Sequence, residues 1–270
     1  MDESRAPSAP ATISRGRILE IRPLAESTFL MVIDCPAVAA TAEPGQFVKA
    51  RTWDESAGPL LDRPFSIHRV VDGRLELLFR AVGPATNIMA QSRAGDRIKI
   101  TGPLGRGLTD LHQFNQGLYL VGGGIGLAPM GMVLDRVDYT RTRLFYGERA
   151  GGFQVDENWL KSWAGKYEAT CEDGGGYGEK GLVTAPLERA LAKEIKPVFA
   201  CGPAPMLAAV VKTAGNFGAP CLVSLEAGMA CGLGVCLTCS LPLKDGGRIK
   251  VCQDGPVVDG GSVDWERVRR

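Results

Sequence analysis

Apolar and polar positions between residues 16 and 101 form short stretches of aliphatic and β-branched residues, separated by Pro, Gly and Asp. This spacing is typical of extended strands joined by tight turns. It predicts strands at 17–23, 28–33, 46–51, 65–71, 75–80 and 97–101. Between the fourth and fifth strands, Asp72-Gly73 suits the positive backbone dihedral angles of a two-residue hairpin. We therefore predict a small antiparallel barrel.

The pattern changes after Gly117, where apolar runs alternate with segments of helical spacing. It predicts strands at 118–121, 143–146, 167–171 and 197–200, and helices at 127–137 and 204–214. Strands that alternate with helices indicate a parallel sheet with right-handed crossovers. Residues 224–260 are rich in Gly and Cys and follow neither pattern. The fold class expected is a β-barrel, an α/β domain and a C-terminal cysteine loop.

Composition narrows the classes of partner. The chain has 270 residues, enough for two domains with their own cores, and a net charge of +1. Because no long Lys/Arg run is present, we expect neither a nucleic acid nor a membrane surface as a partner. Residues 1–14 lack the apolar core of a signal peptide, and no apolar run approaches the roughly 20 residues of a membrane span. A cytoplasmic protein is expected.

Half of the eight cysteines lie close together near the C-terminus, at Cys231, Cys236, Cys239 and Cys252. The C-x4-C-x2-C run followed by a distant fourth cysteine is the plant-type spacing of [2Fe-2S] ligands. Gly232 and Gly234 would let the loop fold tightly enough for backbone N–H groups to face the sulfurs. Four thiolates also suit a structural zinc ion, although zinc ribbons usually present two separate C-x2-C pairs. The spacing favours [2Fe-2S], with zinc as the alternative.

Two glycine-containing turns of the α/β part are candidates for binding a dinucleotide. Gly123, Gly124 and Gly126 follow a predicted strand, where glycines allow a pyrophosphate to approach a helix N-terminus. The run does not match G-x-G-x-x-G, so a purely structural turn is the alternative. Cys201 and Gly202 end another predicted strand, at the sheet edge where ligands of open sheets bind. Cys201 could contact a nicotinamide ring or could be a buried thiol.

A fourth motif, Arg63-Pro64-Phe65-Ser66, lies in the predicted barrel. With this motif, the glycine turn, Cys201-Gly-Pro and the cysteine loop in this order, the chain resembles the ferredoxin-NADP reductase superfamily. More closely, it resembles the iron-sulfur electron-transfer subunits of class 1B dihydroorotate dehydrogenase. The resemblance covers residues 16–259. It includes Asp-Gly-Pro after Cys252, which matches the family's fourth-ligand segment.

The resemblance implies which residues bind FAD and NAD. The FAD contacts would be Arg63, Pro64, Phe65, Ser66, Leu78, Phe79, Arg80, Ala85 and Thr86. Arg63 and Arg80 would donate charge-assisted hydrogen bonds to the pyrophosphate, and Ser66 would lie near the flavin. The family usually has Gly-Thr where this chain has Ala85-Thr86, which weakens that contact. NAD would bind at Gly123, Gly124, Gly126, Cys201 and Gly202.

The same resemblance implies four parts of the chain. They are a flexible tail at 1–15, an FAD-binding barrel domain at 16–112, an NAD-binding α/β domain at 113–222 and a [2Fe-2S] region at 223–270. Nicotinamides exchange two electrons as hydride, a [2Fe-2S] cluster accepts one at a time, and a flavin can do both. Electron counting therefore places FAD between the other two groups.

The resemblance also implies a partner. Dihydroorotate would be oxidised at the FMN of a separate catalytic subunit, and electrons would pass through the cluster and FAD to NAD in pyrimidine biosynthesis. Two copies of each subunit would form a heterotetramer, and no catalytic acid or base is expected in this chain. One alternative is a subunit of another complex, such as a ferredoxin-NADP oxidoreductase or a sulfhydrogenase. Another is a colourless, zinc-stabilised binding module.

Overall fold

A computed structural model of the chain describes residues 11–54, 56, 58–108, 111–138, 140–149, 155 and 157–268. Within these residues, six strands form a closed antiparallel barrel. They are β1 Thr12–Ala25, β2 Thr28–Asp34, β3 Phe47–Arg51, β4 Arg63–Val71, β5 Arg74–Arg80 and β6 Arg97–Leu104. Their order around the barrel is β1-β2-β5-β4-β3-β6. Two short helices, α1 Pro36–Ala39 and α2 Pro84–Ala90, connect barrel strands.

Each of the six strands predicted for the barrel is confirmed, because inward apolar side chains alternate along it. Ile67 on β4 and Leu75 and Leu77 on β5, for example, are fully buried in the barrel core. The hairpin turn is also confirmed, since Asp72 and Gly73 have φ values of 50° and 73°. These two residues therefore set the register of β4 against β5.

The barrel starts earlier than the predicted boundary at residue 16. Residues 12–17 of β1 pair with residues 102–97 of β6, so the end of the predicted tail is a strand. Its outer positions are mostly exposed and polar, which is why the apolar pattern missed it. The backbone ladder to β6, rather than burial, holds this segment. Residues 1–10 of the predicted tail lie outside the described residues.

The second sheet has seven strands within the described part of the chain, in the order β10-β9-β8-β7-β11-β12-β15. All neighbours are parallel except β12 and β15. The strands from β7 onward are β7 Tyr119–Gly123, β8 Arg143–Glu148, β9 Tyr167–Cys171, β10 Glu179–Lys180, β11 Val198–Cys201, β12 Cys221–Ser224, β13 Ser240–Pro242, β14 Arg248–Lys250 and β15 Val257–Asp259. β13 and β14 pair only with each other. The predicted parallel sheet is thus confirmed.

The helices of this part are α3 Met130–Leu134, α4 Glu157–Ala164, α5 Thr184–Leu191 and α6 Ala204–Asn216. The predicted helix at 204–214 is confirmed by α6. The helix predicted at 127–137 is wrong in extent, because a 3-10 turn over Gly124–Leu127 precedes an α3 of only five residues. All five residues of α3 are buried, and Gly131 packs against His68 and Arg69 of the barrel. No helix in the described part of the chain is long and apolar enough to cross a bilayer.

The cysteine region is continuous with the second sheet. β12 spans the predicted boundary between residues 222 and 223, and β15 returns from the region to pair with β12 from 257 to 259. The region predicted from residue 223 onward therefore packs on the sheet of the preceding part of the chain through β15. Val257 and Val258 supply an apolar edge strand, which is buried against the sheet.

The barrel and the second sheet are bound to each other by polar and aromatic contacts. His68 Nδ1 of β4 lies 2.9 Å from the carbonyl oxygen of Ala128, and the ring packs against Trp159 and Trp163 of α4. Arg69 donates two hydrogen bonds to the carboxylate of Asp135, at 2.8 and 2.7 Å. The carboxyl edge of the second sheet is consequently held beside β4 and β5.

Candidate functional site

A cavity of about 410 Å³ lies where the barrel meets the second sheet. All nine residues predicted to contact FAD line it, and the structure therefore brings them together. Other lining residues were not predicted to contact FAD, namely Ile125, Ala128, Ser224, Leu225, Glu226, Ala227, Met229, Val251 and Pro256. The signal that could have found them is their position beside the glycine turn and the cysteines along the chain.

Two arginines face each other across neighbouring strands of this cavity. Arg63 is the first residue of β4, and its Nη1 donates a hydrogen bond to the carbonyl of Leu61 at 2.6 Å. Arg80 is the last residue of β5, and its Nε is buried without a hydrogen-bond partner among the described residues. Leaving a buried charged donor unsatisfied costs about 1–3 kcal/mol or more. This atom therefore fits an anionic ligand such as a phosphate.

The wall formed by α2 is fixed by one hydroxyl. Thr86 Oγ1 accepts hydrogen bonds from the backbone N–H of Val82 at 2.9 Å and of Gly83 at 3.1 Å. These contacts use the Thr86 side chain to hold the turn that precedes α2. Ala85 is buried in the first turn of α2, where alanine is a favourable helix former. Ala85, the position expected to be a weaker contact, is consequently compatible with the helical backbone.

The two glycine turns lie side by side, because β7 and β11 are neighbours in the second sheet. A Cβ added to Gly126 would lie 2.1 Å from the carbonyl oxygen of Cys201, and one added to Gly123 would lie 2.3 Å from Met206 Sδ. Gly202 has a φ of 156° and contacts Gly123. Close packing between the turns thus explains these three glycines. Gly124 differs, since it is partly exposed and has a φ of 55°.

Cys201 ends β11 with its side chain in the apolar core. Only 1% of its surface is exposed, and burial raises the pKa of the thiol well above its usual range. In this conformation the thiol offers no surface for a nicotinamide ring to contact. The structure shows the buried thiol that was the alternative interpretation of this residue.

The four clustered cysteines meet in the loop between β12 and β13 and in the segment after β14, as two pairs. Cys239 Sγ and Cys252 Sγ are 3.2 Å apart. The thiols of Cys231 and Cys236 interact with each other, and the Cys236 N–H lies 3.5 Å from Cys231 Sγ. No group of three His, Cys, Asp or Glu side chains in the described residues is arranged to hold a single metal ion.

Backbone N–H groups point at these sulfurs, as the glycines of the loop predicted. Leu233 N lies 3.3 Å from Cys231 Sγ, and Gly234 N lies 3.1 Å from Cys252 Sγ. The turns depend on Gly232 and Gly234, which have φ values of 75° and 77°. Such donors stabilise negative charge on sulfur.

Cys236 is the exposed member of the set. The hydroxyl of Thr238 lies 3.3 Å from Cys236 Sγ. This hydrogen bond, followed by those with Cys231, lowers the pKa of Cys236 to about 6, whereas burial raises the pKa of Cys252 to about 12. The exposed thiol therefore favours the thiolate form more than the buried one does.

The cavity and the cysteine centre share a wall. Met229 lines the cavity two residues before Cys231, and Val251 lines it immediately before Cys252. Glu226 lies in the same wall, and burial raises the pKa of its carboxyl. A group bound in the cavity is therefore separated from the cysteines only by side chains and backbone of this short wall.

The sequence of the chain matches known proteins over most of its length. Residues 226–264 match the family described as the iron-sulfur cluster binding domain of dihydroorotate dehydrogenase B. The dihydroorotate dehydrogenase B (NAD(+)) electron transfer subunit of Desulforamulus reducens is 35% identical over 259 residues, covering 93% of this chain and 97% of that one. The subunit of the same name from Clostridium acetobutylicum is 36% identical, covering 82% of this chain and 85% of its own.

Solved structures share the architecture. An NADH-dependent reduced ferredoxin-NADP oxidoreductase has a TM-score of 0.79 and 27% identity, with 93% of this chain and 90% of that chain covered. A ferredoxin NADP+ reductase from Neisseria gonorrhoeae, solved with FAD and NADP, has a TM-score of 0.60 and 16% identity, with 76% and 92% covered. At that identity the second likeness concerns the fold alone.

Proposed function

The chain belongs to the family of dihydroorotate dehydrogenase B (NAD(+)) electron transfer subunits, and from this premise we propose how it carries electrons. FAD binds in the 410 Å³ cavity, a [2Fe-2S] cluster binds at the four cysteines, and NAD binds at the carboxyl edge of the second sheet. The observation that carries this proposal is the wall shared by cavity and cysteines, because electron transfer requires closely spaced cofactors.

The FAD assignment is supported by the nine lining residues and by the unsatisfied Nε of Arg80. Arg80 and Arg63 would bind the pyrophosphate, and the Ser66 hydroxyl would lie near the flavin ring. When bound, FAD supplies the exchange between hydride and single electrons. The chain's own residues bind and orient the flavin, and no acid or base of this chain is needed as a catalyst.

The [2Fe-2S] assignment is supported by the pairing of the cysteines. Cys231 lies with Cys236, and Cys239 with Cys252, in two sulfur pairs, and a cluster with two irons would be held by these four thiolates. A zinc ion requires all four sulfurs around one centre. Backbone N–H groups directed at Cys231 and Cys252 also suit a cluster that gains negative charge on reduction.

For NAD, the partly exposed Gly124 at the end of β7 is the best placed of the predicted residues. Gly123, Gly126 and Gly202 keep the two turns close enough together to form this edge. These glycines determine the shape of the site, because they pack against Cys201 and Met206 and leave no room for side chains of their own. We assign no contact to the Cys201 thiol.

The partner is an FMN-containing catalytic subunit, two copies of each subunit forming a heterotetramer. The docking surface is the outer face of the cysteine loop, where Leu233, Val235 and Leu237 expose 54%, 79% and 60% of their surfaces. Apolar side chains exposed together in this way are typical of protein interfaces. Electrons from dihydroorotate would enter at this face.

The test is an anaerobic visible spectrum of the purified chain before and after NADH, with iron, zinc and flavin quantified. We expect about one flavin and about two irons per chain, with absorption bands that bleach on reduction. A colourless protein that contains zinc would refute the proposal.

The order of the cofactors is tested by Cys236→Ser. This variant should lose electron transfer to the catalytic subunit and keep NADH-driven reduction of the flavin. If both activities are lost while FAD stays bound, the serial order is wrong. Thr238→Val is a matched control that alters the Cys236 hydrogen bond and keeps all four ligands.

A further inference from the structure

Lys49 is a buried cation beneath the cysteine loop. It lies in the middle of β3 with 7% of its surface exposed, and its Nζ donates hydrogen bonds to the carbonyl oxygens of Ala230 and Cys231. The contact to Cys231 measures 3.4 Å. A Cβ on Gly232 would lie 2.7 Å from Lys49 Cδ, so the aliphatic stem packs against the loop backbone. The barrel thereby places an ammonium group at the first ligand of the cysteine centre.

This charge differs from that of neighbouring cations. Arg51 on the same strand and Lys99 on β6 both pair with Asp62, at 3.2 and 3.5 Å. The hydrogen-bond partners of Lys49 in the described part of the chain are carbonyl oxygens. Neutral carbonyls accept from the ammonium group without a salt bridge to Lys49 among the described residues, so its positive charge is not paired there with a carboxylate. In a poorly solvated site, such a charge acts strongly on its surroundings.

Lys49 also lies beside the proposed flavin site, because it pairs with Pro64 across β3 and β4. The lysine therefore stands between the Arg63-Pro64-Phe65-Ser66 strand and the cysteine loop. Of the two groups, the loop is the one that its ammonium contacts. Its electrostatic effect should consequently be larger on the cysteine centre than on the flavin.

We propose that Lys49 is a positioning residue that raises the reduction potential of the cluster and holds the Ala230–Cys231 backbone in place. This inference rests on the proposed function, namely a [2Fe-2S] cluster at the four cysteines. Reduction adds one negative charge to the cluster, and a nearby positive charge stabilises that state. The lysine thus favours entry of an electron from the partner subunit.

The experiment is a redox titration of the whole chain, with the cluster followed by electron paramagnetic resonance and the flavin by absorbance. Lys49→Met keeps the stem and removes the charge, Lys49→Gln keeps an N–H donor without the charge, and Lys49→Arg keeps the charge. Lys99→Met is the control for loss of a barrel cation. We expect reduction of the cluster to become about tenfold less favourable in Lys49→Met and in Lys49→Gln. This lowers the reduction potential by about 59 mV, because the couple transfers one electron.

The full set of variants distinguishes an effect of the Lys49 charge from an effect of its hydrogen bonds. Lys49→Arg and Lys99→Met should leave the cluster potential near that of the unmodified chain. In Lys49→Met and Lys49→Gln, the flavin potential should shift less than the cluster potential. An unchanged cluster potential in both Lys49→Met and Lys49→Gln refutes the inference. A Gln variant that behaves like the unmodified chain also refutes it, because a hydrogen bond would then suffice. If the Lys49→Met variant loses its iron, the cluster potential of the Lys49→Gln variant decides whether the inference holds. If the unmodified chain holds no cluster, the proposed function itself fails.

Discussion

Arg80 has a buried Nε without a hydrogen-bond partner among the described residues, and this makes it the most informative residue for the proposed binding of flavin. Replacing Arg80 with methionine should weaken FAD binding roughly 10- to 100-fold, because a charge-assisted hydrogen bond contributes about 1.5–3 kcal/mol. The measurement is the dissociation constant of FAD, from the fluorescence of released flavin. Arg74→Met is the matched control, since Arg74 is an exposed arginine at the other end of β5. Equal losses in both variants would contradict the role of Arg80.

His68 lies at the junction between barrel and sheet and should make the stability of the fold depend on pH. Burial lowers its pKa from 6.5 to about 4, against the opposing hydrogen bond to Ala128. In the unfolded chain His68 is therefore protonated below about pH 6.5, whereas in the folded chain it is protonated only below about pH 4. Stability should fall as pH decreases through this window, by up to about 1.4 kcal/mol per pH unit.

The check is urea unfolding at several pH values between 7 and 5, followed by the fluorescence of Trp159 and Trp163, which pack against His68. His68→Asn keeps a donor for the Ala128 carbonyl and cannot titrate. Its stability should depend less on pH than that of the unmodified chain. Parallel pH profiles in the two proteins would show that His68 is not the titrating group.

At the scale of elements, the turn after β7 depends on the absence of a side chain at Gly126. Gly126→Ala should destabilise the chain by about 2 kcal/mol or more, because the added methyl would meet the carbonyl of Cys201 at 2.1 Å. Gly215→Ala is the control, since Gly215 lies in α6 with open space around it and should gain about 0.5–1 kcal/mol. Both are measured by chemical denaturation, and a neutral Gly126 variant would contradict the packing argument.

Elements with a strong local pattern could be predicted from the sequence. The alternation along β4 and β5 and the Asp72-Gly73 turn required no knowledge of distant residues. β12 and β15 were missed because they are defined by their pairing with each other across the long cysteine loop, which the local pattern does not show. α3 was predicted too long because its apolar run reflects burial against the barrel, which sequence spacing cannot distinguish from a longer helix.

The residues of the candidate site also differ in whether the sequence could predict them. The four clustered cysteines could be singled out from their spacing and the nine predicted FAD contacts from the family resemblance, and the structure brings each set together. Lys49 and Glu226 were missed because their positions depend on contacts between segments far apart in the chain. Burial of the Cys201 thiol likewise depends on neighbours such as Ser224, which strand ends alone do not reveal.

At the scale of the whole molecule, the exposed cysteine loop should govern association with the catalytic subunit. Val235→Lys should weaken the complex about tenfold or more, since it places a charge in the centre of an apolar interface. Ile195→Lys is the control, because Ile195 is also exposed but precedes β11 at the other end of the sheet. Binding is measured by titration calorimetry with the catalytic subunit. Unchanged binding in Val235→Lys would mean that the partner docks elsewhere.

The pairing of β12 with β15 closes the cysteine loop at its base by backbone hydrogen bonds, from Leu222 with Asp259 to Ser224 with Val257. Both ends of the loop are therefore anchored by the backbone ladder of the sheet. A change that disturbs the pairing of these two strands should consequently be transmitted to all four clustered cysteines. Because Cys236 is the exposed thiol of the four, it is the member of the set that molecules in solution reach most directly. The loop thus combines a base held by the sheet with an outer end open to solvent.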